Sequence, residues 1–302
     1  MITIAGKIAS LVVFISCACL SYAQEIRNRP LRIGMIADIQ YADKESRGTR
    51  FYRASLPKLN ESVTVLNEHR VDFTVVVGDF VDEGPKDLPT VLVELDRLDK
   101  PVYNLLGNHD FETVQQPDDL YKAFRMPSPY YAIDTAGWRF IFLNTNELSA
   151  YATTPNTAKG KAYQRLAEAF EKQGRGKAQP WNGGVGKKQL RWLRKQLELA
   201  QKRGQQVVVF THHPVLPEGN GHEALNNREL LALLSKHKQV KAIISGHNHK
   251  GAFAMHEEGL PCITLQGMLE TEKENAYSIL TLSQDKLVIT GWGKLTSREI
   301  EW

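Results

Sequence analysis

An α/β fold organised on a parallel sheet is what this sequence predicts, and three observations carry that expectation. Apolar, strand-like runs alternate with helical periodicity from Leu31 to Leu106. Five apolar runs end directly at glycine or at a residue able to ligate or to carry a proton: at Asp38, Gly78-Asp79, Gly107-Asn108-His109-Asp110, His212 and Gly246-His247-Asn248-His249. Open α/β sheets place their sites at the carboxyl ends of such strands. The 302 residues, 42% hydrophobic and 24% charged, are an ordinary globular composition with length enough for one large domain and its core.

In chain order, Leu31 to Ala37 reads as a strand running into Asp38. Arg50 to His69 reads as a helix, because Leu56, Leu59, Val63 and Leu66 recur at three- and four-residue steps. Pro57 either kinks it or marks its first turn. Phe73 to Val77 is a second strand, ending at Gly78-Asp79. Asp87 to Leu98 is a second helix, with Leu88, Val91, Leu92, Leu95 and Leu98 on one face, and Val102 to Leu106 is a third strand that stops at Gly107. Strand–helix–strand–helix–strand implies parallel pairing with right-handed crossovers.

Tyr130 to Ile133 and Arg139 to Leu143 read as two strands joined around Gly137. The polar stretch 144–186, with one helix from Ala158 to Lys172 and with Gly174, Gly176, Pro180 and Gly183-Gly184, is a candidate lid or cap-like insertion. A helix follows whose apolar stripe is Leu190, Leu193, Leu197 and Ala200, with Lys and Arg opposite and Trp192 packing beside it. Val207 to Phe210 is a strand into Thr211-His212-His213-Pro214, Arg228 to His237 a helix, and Val240 to Ile244 a strand into Gly246-His247. Short strands complete the chain at Ala252–His256, Cys262–Leu265, Tyr277–Leu282 and Leu287–Gly291. No repeat, low-complexity tract or linker divides residues 24–302.

The first 23 residues are of another kind. Lys7 is the only charge before Glu25, an apolar run follows from Ile8 to Leu20, and Ser21-Tyr22-Ala23 supplies small residues where a signal peptidase cuts. A signal peptide over 1–23 is expected, and with it an exported protein, periplasmic or extracellular. The run is short for a spanning helix, so no stable membrane anchor is expected after cleavage. Cys17 sits in a poor lipoprotein context. With Cys17 and Cys19 gone, Cys262 has no partner for an internal disulfide. The net charge of +4 becomes +3 without Lys7, and no basic block suggests a nucleic-acid partner.

Read alone, Gly107-Asn108 is turn chemistry. Collected, the strand-end groups are Asp38, Gln40, Asp79, Asn108, His212, His247 and His249. Carboxylates, amide carbonyls and imidazoles without a cysteine suit a pair of divalent first-row metals, not a structural zinc site. Strand periodicity would point Asp38 and Gln40 the same way, and likewise His247 and His249. Each pair would then serve one metal or two neighbours.

In order the motifs are D-x-Q, GD-x-x-D, GNHD, H-x-P and GHNH, spanning Asp38 to His249. This series resembles the calcineurin-like metallophosphoesterases. The resemblance implies a four-layer αββα sandwich of two mixed β-sheets with a dinuclear site along their strand ends. It implies that Asp79 bridges two divalent ions, that Asp38, Gln40 and His249 complete one, and that Asn108, His212 and His247 complete the other. His212 matches the family's ligand two residues before proline, which leaves His213 a structural role. The chemistry so implied is attack on phosphorus by a hydroxide that both metals share, with the metals spreading the charge on the phosphoryl oxygens. His109 would donate to the leaving oxygen and Asp110 would orient that imidazole. Asp82 would stand behind the ligands or cap a turn.

Most of the superfamily carries histidine where Gln40 stands. An amide oxygen is a harder donor and favours Mn2+ or Mg2+ over Fe or Zn2+. The D-x-Q variant, with Thr49-Arg50-Phe51-Tyr52-Arg53-Ala54-Ser55-Leu56 and Trp181-Asn182-Gly183-Gly184-Val185-Gly186, is most similar to the manganese-dependent ADP-ribose/CDP-alcohol diphosphatases. The implied reaction cleaves a nucleoside diphosphate-linked alcohol or sugar into a nucleotide and a phosphorylated alcohol. Candidate substrate contacts are Asn108, His109, Tyr41 and Arg53, with Arg50 and Trp181. Two other readings stay open: a secreted phosphomonoesterase or phosphodiesterase of the same superfamily, and a non-catalytic metal-binding scaffold.

Overall fold

Val- and Ile-rich runs form the strands because β-branched side chains suit a pleated, packed surface. In a computed structural model that describes residues 29–112 and 117–302, β1 (Leu31–Ile36), β2 (Phe73–Val77) and β3 (Val102–Leu105) pair in parallel. They are joined by α1 (Ser55–Glu68) and α2 (Leu88–Leu95). The signal peptide expected over 1–23 lies outside the described residues. α1 starts later than its periodicity suggests. Arg50 is bridged to Arg47 and Glu270, and the chain turns helical only at Ser55. Pro57 lies in the first turn, where a missing N–H breaks no helical bond.

A short helix, α3 (Pro117–Ala123), was not foreseen. It precedes the hairpin β4 (Tyr131–Thr135) and β5 (Trp138–Phe142). Ala136 and Gly137 turn that hairpin with φ of 47° and 83°, the doubly left-handed turn that suits strand twist. Then come α4 (Ala158–Lys172), α5 (Lys187–Lys202), β6 (Gln206–Phe210), α6 (Asn227–Leu234) and β7 (Val240–Ser245). Thr157 caps α4, its Oγ1 accepting from Gly160 N at 3.0 Å. The chain closes with β8 (Lys250–Met255), β9 (Pro261–Gln266), β10 (Ala276–Leu282), β11 (Lys286–Gly293) and β12 (Arg298–Glu301). The last was missed because Arg-Glu-Ile-Glu holds one apolar residue.

The strands make two mixed six-stranded sheets, ordered β12-β11-β10-β1-β2-β3 and β4-β5-β6-β7-β9-β8. Their faces meet. Phe140, Phe142, Val208 and Phe210 share a core with Ile33, Met35 and Val75, whereas Ile141, Val207 and Val209 pack with Leu193 and Leu197 of α5 and Leu230 of α6. That alternation is the period-two signature of a sheet buried on both faces. Phe73 and Phe140 touch edge-on across the sheets at 5.1 Å. α1 covers the other side of the first sheet so closely that a Cβ on Gly34 would lie 2.9 Å from Leu66. The result is the expected four-layer αββα sandwich. Among the described residues no helix is long and apolar enough to cross a membrane.

Candidate metal centre and active site

Each strand-end group leaves its strand within two or three residues: Asp38 after β1, Asp79 after β2, Asn108 after β3, His212 after β6 and His247 after β7. Backbone bonds lock these exits together. Gln40 N donates to Asp79 O at 2.8 Å, Gly246 N to His212 O at 3.1 Å, and His247 N to Asp38 Oδ1 at 2.9 Å, which ties the second sheet to the first. The exits are strained. Asp38, Gln40, Asp79 and His247 hold φ of 52°, 41°, 52° and 70°, a left-handed region costly for residues with a Cβ and favoured by functional sites. For that reason the period-two reading of Asp38-x-Gln40 and His247-x-His249 fails. These are turns, not strands, and the two histidines go to different neighbours.

The glycines make room. A Cβ on Gly107 would sit 2.0 Å from Asp79 Oδ1, and one on Gly78, at φ 85°, would sit 2.4 Å from His212 Nδ1. Into that space two groups of ligand atoms converge. Asp79, His212 and His247 form one, and Asp38, Asp79 and His249 the other, with all atoms of each within 4.8 Å of one another and Asp79 common to both.

The donor chemistry fits cations. His212 Nδ1 donates to Val77 O at 3.0 Å, so the Nε2 of a neutral ring is a lone pair. That atom stands 3.2 Å from Asn108 Oδ1, 3.2 Å from His247 Nδ1 and 3.4 Å from Asp79 Oδ2. His249 Nδ1 donates to Glu270 Oε1 at 2.9 Å, which turns its Nε2 toward Asp38. Gln40 Nε2 donates to Asp82 Oδ1 at 3.0 Å, which turns its oxygen inward. Gln40 Oε1, Asp79 Oδ2 and His247 Nε2 are all buried with no hydrogen-bond partner. Buried acceptors left without a partner are costly unless positive charge lies beside them.

The electrostatics agree. Burial disfavours charge on His109 and His212, yet the surrounding carboxylates together outweigh it, Asp79 with Glu112 and Asp82 at His109 and Asp79 with Asp38 at His212, and both imidazoles are lifted to about 9. Against its own burial, Asp79 is held below the usual carboxylate range by those two rings. A field that keeps protons on two neighbours is one that attracts divalent ions. Burial, followed by the neighbouring imidazoles, holds His247 well below its ordinary value and so neutral, the form that ligates.

A cavity of about 420 Å³ opens over this floor. Arg50, Asn108, His109 and Glu112 line it, as do Tyr151, Pro180, Trp181 and His222. Two of the expected substrate contacts are not on it. Tyr41 pairs with Val81 in a bridge, and Arg53 turns outward to Asp43 at 2.7 Å and to Glu45. Arg50 precedes the helix instead of opening it.

Asp110 also departs from expectation. Its carboxylate accepts from Gly107 N at 2.9 Å, Phe80 N at 2.8 Å and Val81 N at 3.2 Å, so it braces the two loops and does not orient His109. The imidazole meets Asp82 instead: Nδ1 lies 3.1 Å from Asp82 O and 3.2 Å from Asp82 Oδ1, with Glu112 Oε1 also at 3.2 Å. One Asp82 carboxylate thus faces both Gln40 and His109, and Lys44 neutralises its far oxygen. His213 has both ring nitrogens engaged, with Thr145 Oγ1 at 2.8 Å and Trp181 O at 2.9 Å.

Sequence reasoning missed Glu270, Tyr151 and His222. Glu270 follows β9 by four residues, the same strand-end logic as the motifs, so it was within reach. Lys58, buried on α1, anchors its loop by donating to Met268 O and Thr271 O.

Two packed mixed sheets with paired ligand clusters at their joined strand ends define a metallophosphoesterase. The chain belongs to the calcineurin-like phosphoesterase family, whose model matches residues 31–251. It is 30% identical over 298 residues to the manganese-dependent ADP-ribose/CDP-alcohol diphosphatase of Oryza sativa subsp. japonica, covering 88% of this chain and 92% of that one. The human protein of the same description is 27% identical over 315 residues, covering 89% and 92%. A dimetal phosphatase from Danio rerio superposes with a TM-score of 0.81 at 27% identity, over 91% of this chain and all of that one.

Proposed function

We propose that this chain is a manganese-dependent hydrolase that cleaves the diphosphate of ADP-ribose or a CDP-alcohol, releasing a nucleotide and a phosphorylated alcohol or sugar. The observation that carries the reading is the pair of ligand clusters sharing Asp79 beneath a cavity that His109 lines. The names of the relatives supply the substrate class, and the unpartnered Gln40 oxygen supports a hard ion such as Mn2+ or Mg2+.

Asp38, Gln40, Asp79 and His249 would hold one cation, and Asp79, Asn108, His212 and His247 the other. Bound there, two divalent ions would supply Lewis acidity toward water and toward the phosphoryl oxygens. The chain's own groups do the rest. Asp82 takes Nδ1 of His109, so Nε2 is the nitrogen left for substrate, placed to donate to the departing oxygen. Arg50 offers charge to the second phosphate. Trp181, 40% exposed, offers a face to the base.

The test is a panel of ADP-ribose, CDP-choline, CDP-glycerol, a cyclic nucleotide and simple monoesters, with Mn2+ and with Mg2+. AMP or CMP as product, and faster turnover with Mn2+, is the expected result. Free phosphate from monoesters as the dominant product would favour the phosphomonoesterase reading, and no metal-stimulated turnover would favour a scaffold. We further propose export, supported by the charge and hydropathy pattern of residues 1–23. A mature amino terminus at Gln24 on sequencing the protein from its native host is the expected result.

A further inference from the structure

Part of the cavity wall comes from two loops, 173–186 and 216–226. Trp181 lies on the first and His222 on the second, their rings 6.3 Å apart and 26° from parallel. That spacing leaves no room for a third ring between them, so they form one slab. Backbone bonds hold part of the two loops: Asn182 N donates to Gln179 O at 3.0 Å, and Leu225 N to Gly183 O at 2.8 Å. Gly174, Gly176, Gly219 and Gly221 all have positive φ, and a Cβ at any of them would meet nothing within 4 Å.

Around Trp181 and His222, side-chain cross-links add to these bonds. Arg175 and Glu223 make an ion pair at 2.9 Å with side chains only 6% and 1% exposed. Arg175 also donates to Asn227 Oδ1 at 2.7 Å, at the start of α6, and lies over the Phe170 ring of α4 at 4.2 Å. Glu223 accepts from Gly219 N at 2.8 Å. Beside the pair, Trp181 Nε1 donates to Gly221 O at 3.1 Å. Surface ion pairs in this chain, such as Arg53 with Asp43, lie in solvent. This one is removed from water and holds the residue adjoining His222.

We propose that Arg175 and Glu223 are a positioning pair that sets the Trp181–His222 slab and thereby selects substrates carrying a nucleobase. The pair touches neither the ligand clusters nor the reacting phosphate. Its effect is therefore on binding of the non-reacting half, and the inference rests on the nucleotide reading given above.

The experiment compares Arg175→Met, Glu223→Gln and Arg175→Lys with wild type in Mn2+. It uses ADP-ribose and bis(p-nitrophenyl) phosphate, which carries no base. Iodide quenching of the Trp181 fluorescence, taken as the difference from Trp181→Phe, is read alongside. For Arg175→Met and Glu223→Gln, KM for ADP-ribose is expected to rise about tenfold, the scale of one lost stacking contact, with kcat and the diester reaction within about twofold. Quenching should increase in the same variants. Arg175→Lys keeps the charge and should fall between, which keeps the test open if Arg175→Met does not fold. Equal losses on both substrates, or unchanged quenching in variants that fold, would overturn the pair's role. If wild type fails on ADP-ribose but Arg175→Met still exposes Trp181, the substrate reading fails and the clamp stands. If wild type cleaves ADP-ribose and the variants change neither KM nor quenching, the reverse holds.

Discussion

On the floor of the cavity, Asp38, Asp79, Asn108, His212 and His247 leave parallel strands within two or three residues of their ends. On its wall, Tyr151, Trp181 and His222 come from the connections β5–α4, α4–α5 and β6–α6. The floor is held by backbone bonds between neighbouring strand exits, such as Gln40 N to Asp79 O. The wall is held by a few backbone bonds, such as Leu225 N to Gly183 O, and by side chains far apart in sequence, such as Arg175 and Glu223, 48 residues apart. A sheet fixes positions to the tolerance that metal ligands require, whereas loops tied by side chains can be altered without disturbing the sheet. Damage to the floor should therefore affect every substrate, and damage to the wall should affect the choice among them.

The largest expected effect is at the residue common to both clusters. Asp79→Asn should lower turnover of all substrates by on the order of a thousandfold, beyond the cost of disturbing a group behind a ligand. It should also abolish stabilisation by metal. For wild type, Mn2+ at a hundredfold above its Kd should add about 2.7 kcal/mol and raise Tm by roughly 5–10 °C, and Asp79→Asn should show no shift by calorimetry. His109→Ala separates holding metal from using it. It should reduce kcat by about 10²–10⁴-fold while keeping the Mn2+ shift in Tm, since the ring belongs to neither cluster. Loss of that shift would place His109 on the floor's metal sites.

The same contrast explains what the sequence disclosed. An apolar run that stops at Gly-Asp or Gly-His is a local signal, and the strands, the order of the motifs and the five residues of the two clusters, with Asn108 beside His212, followed from it. The sandwich's core was legible through alternation, as in Phe140-Ile141-Phe142. Side-chain direction beyond the strand was not. Asp38 and Gln40 take left-handed backbone angles that period-two reasoning cannot anticipate. Asp110, adjacent to His109 in sequence, turns to the backbone of Phe80 and Val81, and the imidazole is met by Asp82 from another loop. Arg175 and Glu223 carry no sequence signal, because what joins them is tertiary packing over glycine-rich loops.

A smaller effect is expected one step behind the floor. Glu270 holds Nδ1 of His249 at 2.9 Å from a loop that Lys58 anchors. Glu270→Gln keeps the shape but weakens the orientation, and should cost about tenfold in Mn2+ affinity by titration calorimetry. Saturating Mn2+ should restore kcat. A kcat defect that persists at saturation would mean Glu270 acts on the substrate.

The smallest effects separate two arginines three residues apart, and they test where the cavity ends. Arg50 lines it and lies 3.8 Å from Asp82. Arg53 reaches away to Asp43 and Glu45, whose side chains are 67% and 91% exposed, so salt and water screen what it contributes. Arg50→Ala should raise KM for ADP-ribose several-fold, about what one charge-assisted phosphate contact provides. Arg53→Ala should leave kcat, KM and Tm unchanged within about twofold or one degree. Steady-state kinetics on the two variants side by side decide it. Equal KM effects would mean that the substrate extends past Arg50 onto the outer surface, beyond the cavity that Arg50, His109 and Glu112 line.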